Sequence, residues 1–253
     1  MTTEAGRGDH AAGVLVVTGG GRGIGAATAV LAAARGWSVC VGYRTDAEAA
    51  ARVVDDCRRH GVDAVAERAD VAVEADVERL FVAAERLGTV TGLVNNAGVV
   101  APASPVAGID AARVERLLRT NVLGAFLCAA AAVRRMGRSH GGSGGAVVNV
   151  GSRAAVLGAA GEYVDYAASK AAVDALTVGL AREVAGDGIR VNAVRPGLIE
   201  TDIHAPGRLD RLGPSVPLGR PGRPSEVAET IVWLLSPAAS YVTGALVDIG
   251  GGR

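Results

Sequence analysis

Seven short apolar runs rich in β-branched residues, at 14–18, 38–43, 63–66, 92–95, 146–150, 190–194 and 246–249, alternate with six segments of helical periodicity. The helical segments fall at 23–35, 46–60, 74–87, 110–138, 162–185 and 224–235. Strands separated by helices are joined by long crossovers, so they pair in parallel and need helices on both faces. The first run, Val14-Leu15-Val16-Val17, and the fifth, Ala146-Val147-Val148-Asn149-Val150, are almost continuously apolar, as strands buried on both sides are. The pattern predicts an α/β fold with a doubly wound, seven-stranded parallel sheet. No repeat or linker divides it. Residues 13–253 read as a single domain and residues 1–12 as a disordered tail.

Thr18-Gly19-Gly20-Gly21-Arg22-Gly23-Ile24-Gly25 follows the first run and opens an alanine-rich helical segment. At such a junction glycines let the backbone turn sharply and approach a pyrophosphate, whose charge the helix N-terminus stabilises. A glycine cluster alone is only a tight turn. At the first strand–helix junction of a doubly wound sheet it marks the dinucleotide-binding Rossmann fold. The second run ends Val41-Gly42-Tyr43-Arg44, without the carboxylate that would hold a ribose 2′-hydroxyl. Arg22 and Arg44 instead offer two guanidinium groups suited to a 2′-phosphate. The expected cofactor is NADP(H). NAD(H) is the alternative, if both arginines are ordinary surface residues and Asp46 neutralises Arg44.

The chain has 26 lysines and arginines together, and Lys170 is the sole lysine. Tyr166 lies four residues before it in a helical stretch, so both side chains leave the same face. A free tyrosine, with a pKa of ~10, is too weak an acid for proton transfer near neutrality. A neighbouring ammonium favours the phenolate, and lowering the pKa by ~3 units takes about 4 kcal/mol of differential stabilisation. Ser152 closes the fifth run, at the carboxyl edge where doubly wound sheets bind ligands, and its hydroxyl can donate to a carbonyl oxygen. Asn121 interrupts the apolar segment 110–138, either as a kink or for chemistry.

With Asp70-Val71, Asn95-Asn96-Ala97-Gly98 and Pro196-Gly197, these residues resemble the short-chain dehydrogenase/reductase family over about residues 14–250, in the family's order. The glycines Gly19, Gly23 and Gly25 have its TGxxxGxG spacing rather than GxGxxG. The single-domain branch, similar to bacterial 3-oxoacyl-thioester reductases and glucose 1-dehydrogenase-like oxidoreductases, fits best. The resemblance implies that Gly19, Arg22, Gly23, Ile24, Gly25 and Arg44 bind the cofactor and that Asp70 and Val71 lie against its adenine. It places Asn96, Ala97 and Gly98 beneath the cofactor, and Pro196, Gly197, Ile199 and Thr201 near its carboxamide, with Asn96 alternatively a tie between strand ends. It assigns catalysis to Asn121, Ser152, Tyr166 and Lys170: Ser152 polarises a carbonyl, Tyr166 passes the proton as hydride moves, and Lys170 acidifies Tyr166 and holds the nicotinamide ribose. Asn121 would hold a water that relays protons from Lys170. The implied substrate is a carbonyl compound or secondary alcohol, and the implied assembly a homotetramer or homodimer through the long helices and the C-terminal strand. The Ser152–Tyr166 interval of 14 residues is one longer than the family pattern, so substrate analogies weaken there. Residues 198–217 read as a mobile substrate loop.

Composition narrows the classes. Twenty-six basic against 26 acidic residues leave no surplus for nucleic acid, and two Trp, four Tyr and two Phe are too few for stacking platforms. The longest apolar run, 125–133, is about half of a membrane span, and residues 1–13 lack the apolar core of a secretion signal. Three scattered cysteines suggest a reducing, cytoplasmic setting without disulfides or zinc. Four histidines have no ligand spacing, Gly141-x-Ser143-x-Gly145 precedes a strand as a turn rather than a nucleophile elbow, and Arg134, Arg135 and Arg138 read as water-facing at a helix end. The arginines are alternatively a dock for an acidic carrier. Two rival readings remain: a catalytically silent NADP-sensing or scaffold protein, which an intact Ser-Tyr-Lys-Asn set disfavours, and a nucleotide-sugar epimerase, which needs a larger C-terminal region.

Overall fold

The computed structural model describes residues 13–253, so the expected disordered tail at 1–12 lies outside the described residues. In chain order the elements are β1 (Val14–Val17), α1 (Gly23–Ala34), β2 (Ser38–Tyr43), α2 (Ala47–Arg58), β3 (Ala64–Arg68), α3 (Glu74–Glu85) and β4 (Val90–Asn95). Then follow α4 (Ala111–Leu118), α5 (Gly124–Met136), β5 (Gly145–Val150), α6 (Ala154–Leu157) and α7 (Val164–Glu183). The chain closes with β6 (Ile189–Pro196), α8 (Arg208–Leu212), α9 (Pro224–Leu235) and β7 (Leu246–Ile249).

All seven strands join one parallel sheet in the order β3-β2-β1-β4-β5-β6-β7. The chain winds outward from β1 to β3, then crosses back to place β4 beside β1. Helices after β1 and β4 therefore leave toward opposite faces, opening a crevice over the carboxyl ends of the two strands. The two-residue alternation of a strand sorts the core. Leu15 and Val17 of β1 pack with α1, α2 and α9 on one face, while Val14 and Val16 pack with α3, α5 and α7 on the other.

The segment 110–138, expected as one helix, is α4 and α5 joined by a π turn at Arg119–Leu123 that buries Thr120 and Asn121. Such a turn accommodates an extra residue without ending the helix. The ribbon Ala111–Met136 has 26 residues and an 18-residue window of mean hydropathy 1.4, long and apolar enough to cross a membrane by those measures, unlike the nine-residue run read from sequence. Its inner face, including Cys128, Ala131 and Met136, packs in the core. Arg135 corrects another expectation. Its side chain is 13% exposed, lies 5.2 Å from the centroid of Phe81 and pairs with Glu78 and, at 3.0 Å, Glu85. The three cysteines are free and buried, and burial pushes the Cys40 and Cys128 thiols up to about 12.

Candidate active site

A cavity of about 400 Å³ runs across the carboxyl edge of the sheet. Its floor is the glycine turn between β1 and α1, where Gly19 (φ +61°) and Gly23 (φ +56°) take left-handed conformations that side chains resist. Gly25 does not reach the wall. A Cβ there would lie 2.5 Å from Asn96 Nδ2 and 2.6 Å from the Gly19 carbonyl, so it admits the Asn96 amide. That amide donates to the carbonyls of Thr18 (2.9 Å) and Gly19 (3.0 Å), while Thr18 Oγ1 accepts from the Asn96 and Ala97 backbone N–H groups. Asn96 thus ties β1 to β4, while Asn96, Ala97 and Gly98 also line the cavity.

At one end Arg22 and Arg44 are exposed and line the cavity with Ile24, Asp70 and Val71. The Asp46 carboxylate accepts from the Ala49 N–H at 2.9 Å as the cap of α2, and is not an ion-pair partner of Arg44. Asp70 Oδ1 accepts from the Ala72 N–H at 3.0 Å.

At the other end Ser152, Tyr166 and Lys170 share the wall. Ser152 follows β5, and its hydroxyl accepts from the Ala154 N–H at 3.1 Å at the start of α6. Lys170, 5% exposed, donates to the Val150 carbonyl at 2.8 Å, with its Nζ 5.8 Å from the Tyr166 ring centroid. Burial pushes its ammonium down to about 8, and the Asp174 carboxylate pulls it back upward. The Tyr166 hydroxyl departs from the four-residue argument: burial pushes its pKa up, and only the Ser152 hydroxyl opposes that. Desolvation of the phenolate outweighs an ammonium already held by a backbone carbonyl.

Asn121 lies off the cavity wall. Its Oδ1 accepts from the Val99 N–H at 2.8 Å, and its Nδ2 donates to the Val99 carbonyl at 2.9 Å and to Ser169 Oγ at 3.0 Å. It staples the segment after β4 to α7 one residue before the lysine. Gly98 sits between them, its missing Cβ 3.4 Å from both Asn121 Oδ1 and Lys170 Nζ. At the end of β6 and just beyond it, Pro196, Gly197, Ile199 and Thr201 all border the cavity. Thr201 lies against Gly23, whereas Ile199 is 4% exposed and packs in the core.

The structure adds contacts that the pattern did not reveal. Glu162 pairs with Arg208 at 2.7 Å, and Arg208 stacks 4.9 Å from the Tyr163 ring centroid. This joins the 153–165 segment to α8 in the substrate loop, which has more regular structure than its aperiodic sequence suggests. The longer Ser152–Tyr166 interval is accommodated by α6 and a turn of Gly158 (φ +74°), Ala159 (φ +47°) and Gly161 (φ +75°). Ala159 is the one non-glycine residue with positive φ among the described residues. Glu162 and Arg208 are 46 residues apart and follow no periodicity, so no sequence signal linked them.

A doubly wound parallel sheet with a glycine turn under a crevice at its switch point is the dinucleotide-binding α/β fold. The chain belongs to the short-chain dehydrogenase/reductase family: a family model described as enoyl-(acyl carrier protein) reductase matches residues 19–253. It is similar to the protein named uncharacterized oxidoreductase YgfF of Escherichia coli K12, with 49% identity over 95% of this chain and 99% of that one. It is also 42% identical to the cis-4-hydroxycyclohexanecarboxylate dehydrogenase of Sinomonas cyclohexanicum, over 94% and 95% of the two chains. A short-chain type dehydrogenase/reductase from Mycobacterium marinum superposes with a TM-score of 0.90 at 34% identity, covering 96% of this chain and 95% of that one.

Proposed function

We propose that the chain is an NADP(H)-dependent oxidoreductase that interconverts a carbonyl compound and its secondary alcohol, with Tyr166 as the acid/base. The observation that carries this reading is the shared wall of Ser152, Tyr166 and Lys170, with the chain's only lysine buried and held by the Val150 carbonyl. The left-handed glycines leave backbone room for a pyrophosphate, so the residues present fit a nicotinamide dinucleotide. Gly19, Arg22, Gly23, Ile24, Arg44, Asp70, Val71, Asn96, Ala97, Gly98, Pro196, Gly197, Ile199 and Thr201 would hold it directly, with Gly25 acting through packing. Bound there, the nicotinamide supplies or accepts the hydride.

The Ser152 hydroxyl donates to the substrate oxygen and stabilises the charge that develops on it. Tyr166 gives that oxygen its proton in reduction and takes it back in oxidation. Lys170 holds positive charge beside the tyrosine and a donor toward the ribose, and Asn121 fixes the helix that carries both. Preference for the 2′-phosphate is supported by two exposed arginines on the rim and by Asp46, whose carboxylate is engaged in capping α2. Leu157 and Ile203 give the substrate end apolar surface beside the Glu162–Arg208 pair, which suits a small carbonyl compound with one polar end. The chain self-associates as a homotetramer or homodimer.

The test is oxidation of NADPH and of NADH by the purified protein over a panel of 3-oxoacyl thioesters, quinones, diketones and aldoses. Turnover is expected to prefer NADPH and to fall at least ~100-fold in Tyr166→Phe with NADPH binding retained. Full activity in Tyr166→Phe excludes the assignment.

A further inference from the structure

A third polar group stands in line with Tyr166 and Lys170. Asp174 lies four residues beyond the lysine on α7, so the three side chains leave one face of the helix at successive turns. Its side chain is 13% exposed and packs beneath the carboxyl end of β5. A Cβ on Gly151 would lie 3.1 Å from Asp174 Oδ1, and the neighbouring Val150 carbonyl is the one that accepts from Lys170. The acid and the lysine therefore sit against adjacent residues of one strand end.

The two carboxylate oxygens differ. Oδ2 faces the Arg195 guanidinium at 3.5 Å, whereas Oδ1 is buried without a hydrogen-bond partner. Arg195 is shared: its Nε donates to Asp248 Oδ1 at 2.6 Å, and the other Asp248 oxygen pairs with Arg153. A carboxylate present only to anchor Arg195 would bond through both oxygens, since an unsatisfied buried oxygen costs stability.

We propose that Asp174 is a positioning residue for the reaction assigned above, holding Lys170 in its protonated form from the side opposite Tyr166. The inference rests on that functional reading. The charged and titratable groups on the surrounding elements leave this task to Asp174. On α7 they are Tyr166, Asp174 and Asp165, and Asp165 is engaged by Arg113 of α4 at 2.6 Å. Arg153 after β5, Arg195 on β6 and Asp248 on β7 form the network just described. The π turn offers Arg119, which donates to the Ala72 carbonyl, and the uncharged Asn121, and the segment after β4 offers Gly98. Asp174 is the group that opposes the effect of burial on Lys170.

Because Lys170 is the only lysine, the protein grown with [ε-¹³C]lysine gives one side-chain resonance, whose shift against pH reads this group alone, without substrate or cofactor. Asp174→Asn, which keeps the shape, is expected to move the midpoint down by about one pH unit. Arg195→Gln, which strips the acid of its partner, is expected to move it up. Wild-type midpoints in both variants overturn the proposal, and if Asp174→Asn fails to fold, an unmoved Arg195→Gln midpoint does so alone. In alcohol oxidation, Asp174→Asn should move the rising limb of the rate toward higher pH, because Tyr166 ionises less readily beside a neutral lysine. If no carbonyl or alcohol is turned over, the functional reading fails while the resonance still reports on Asp174.

Discussion

Burial of the Lys170 ammonium works against the fold that holds it. In the unfolded chain its ammonium titrates near its ordinary 10.5, and in the folded protein near about 8. Between those values the unfolded state binds more protons, so stability rises with pH across that window, and below about 8 the full penalty remains. The shift corresponds to ~3 kcal/mol. Lys170→Met is therefore expected to raise the free energy of unfolding at pH 7, by less than that figure because the bond to Val150 is lost, and to gain little near pH 10.5. Urea unfolding at the two pH values checks the sign. Gly25 has the opposite logic. A methyl group there meets the Asn96 amide and the Gly19 carbonyl, so Gly25→Ala should lower stability by about 1–3 kcal/mol, seen as a lower Tm. At the rim, Arg44→Asp should weaken NADPH binding at least ~10-fold and favour NADH, since a carboxylate repels a 2′-phosphate and accepts from a hydroxyl. Titration of both cofactors decides it.

Among the elements, the Glu162–Arg208 pair joins two segments that border the substrate end of the cavity. Glu162→Gln removes the charge that holds Arg208 while leaving its stacking on Tyr163. Faster amide exchange across residues 201–212 and a raised KM with a smaller change in kcat are expected. At this scale the strands were the most legible part of the sequence. β2 and β7 keep the expected bounds, because both ends of each are punctuated by turns or charge. The ribbon expected at 110–138 runs over Ala111–Met136 and hid the π turn, since apolar periodicity reads the same on either side of Asn121. α6 and α8 are too short for a period to register. The lining of the cavity was legible where residues are close in sequence, in the glycine turn and in Tyr166 and Lys170. It was opaque where partners come from distant strands, as for Asp174 with Arg195 or Arg135 with Glu78. Nothing in the four-residue spacing of Tyr166 and Lys170 revealed that the ammonium would face Val150.

For the whole molecule, the proposed self-association would draw on exposed apolar side chains. Phe126 on α5 is 50% exposed with Leu118 and Leu123 nearby along the ribbon, and Tyr241 and Leu218 are exposed near β7, the edge strand. Light scattering should give two or four times the mass of the 25.3 kDa chain, and Phe126→Arg should lower it if the ribbon is an interface. Burial of the single lysine in the middle of a 20-residue helix also makes the protein its own gauge of unfolding. A protease that cuts only after lysine has one target bond in the chain, and a helical backbone packed on a sheet does not fit an extended cleavage site. Cutting therefore waits until α7 leaves the sheet, and it yields two fragments, residues 1–170 and 171–253, whose rate of appearance counts those openings directly.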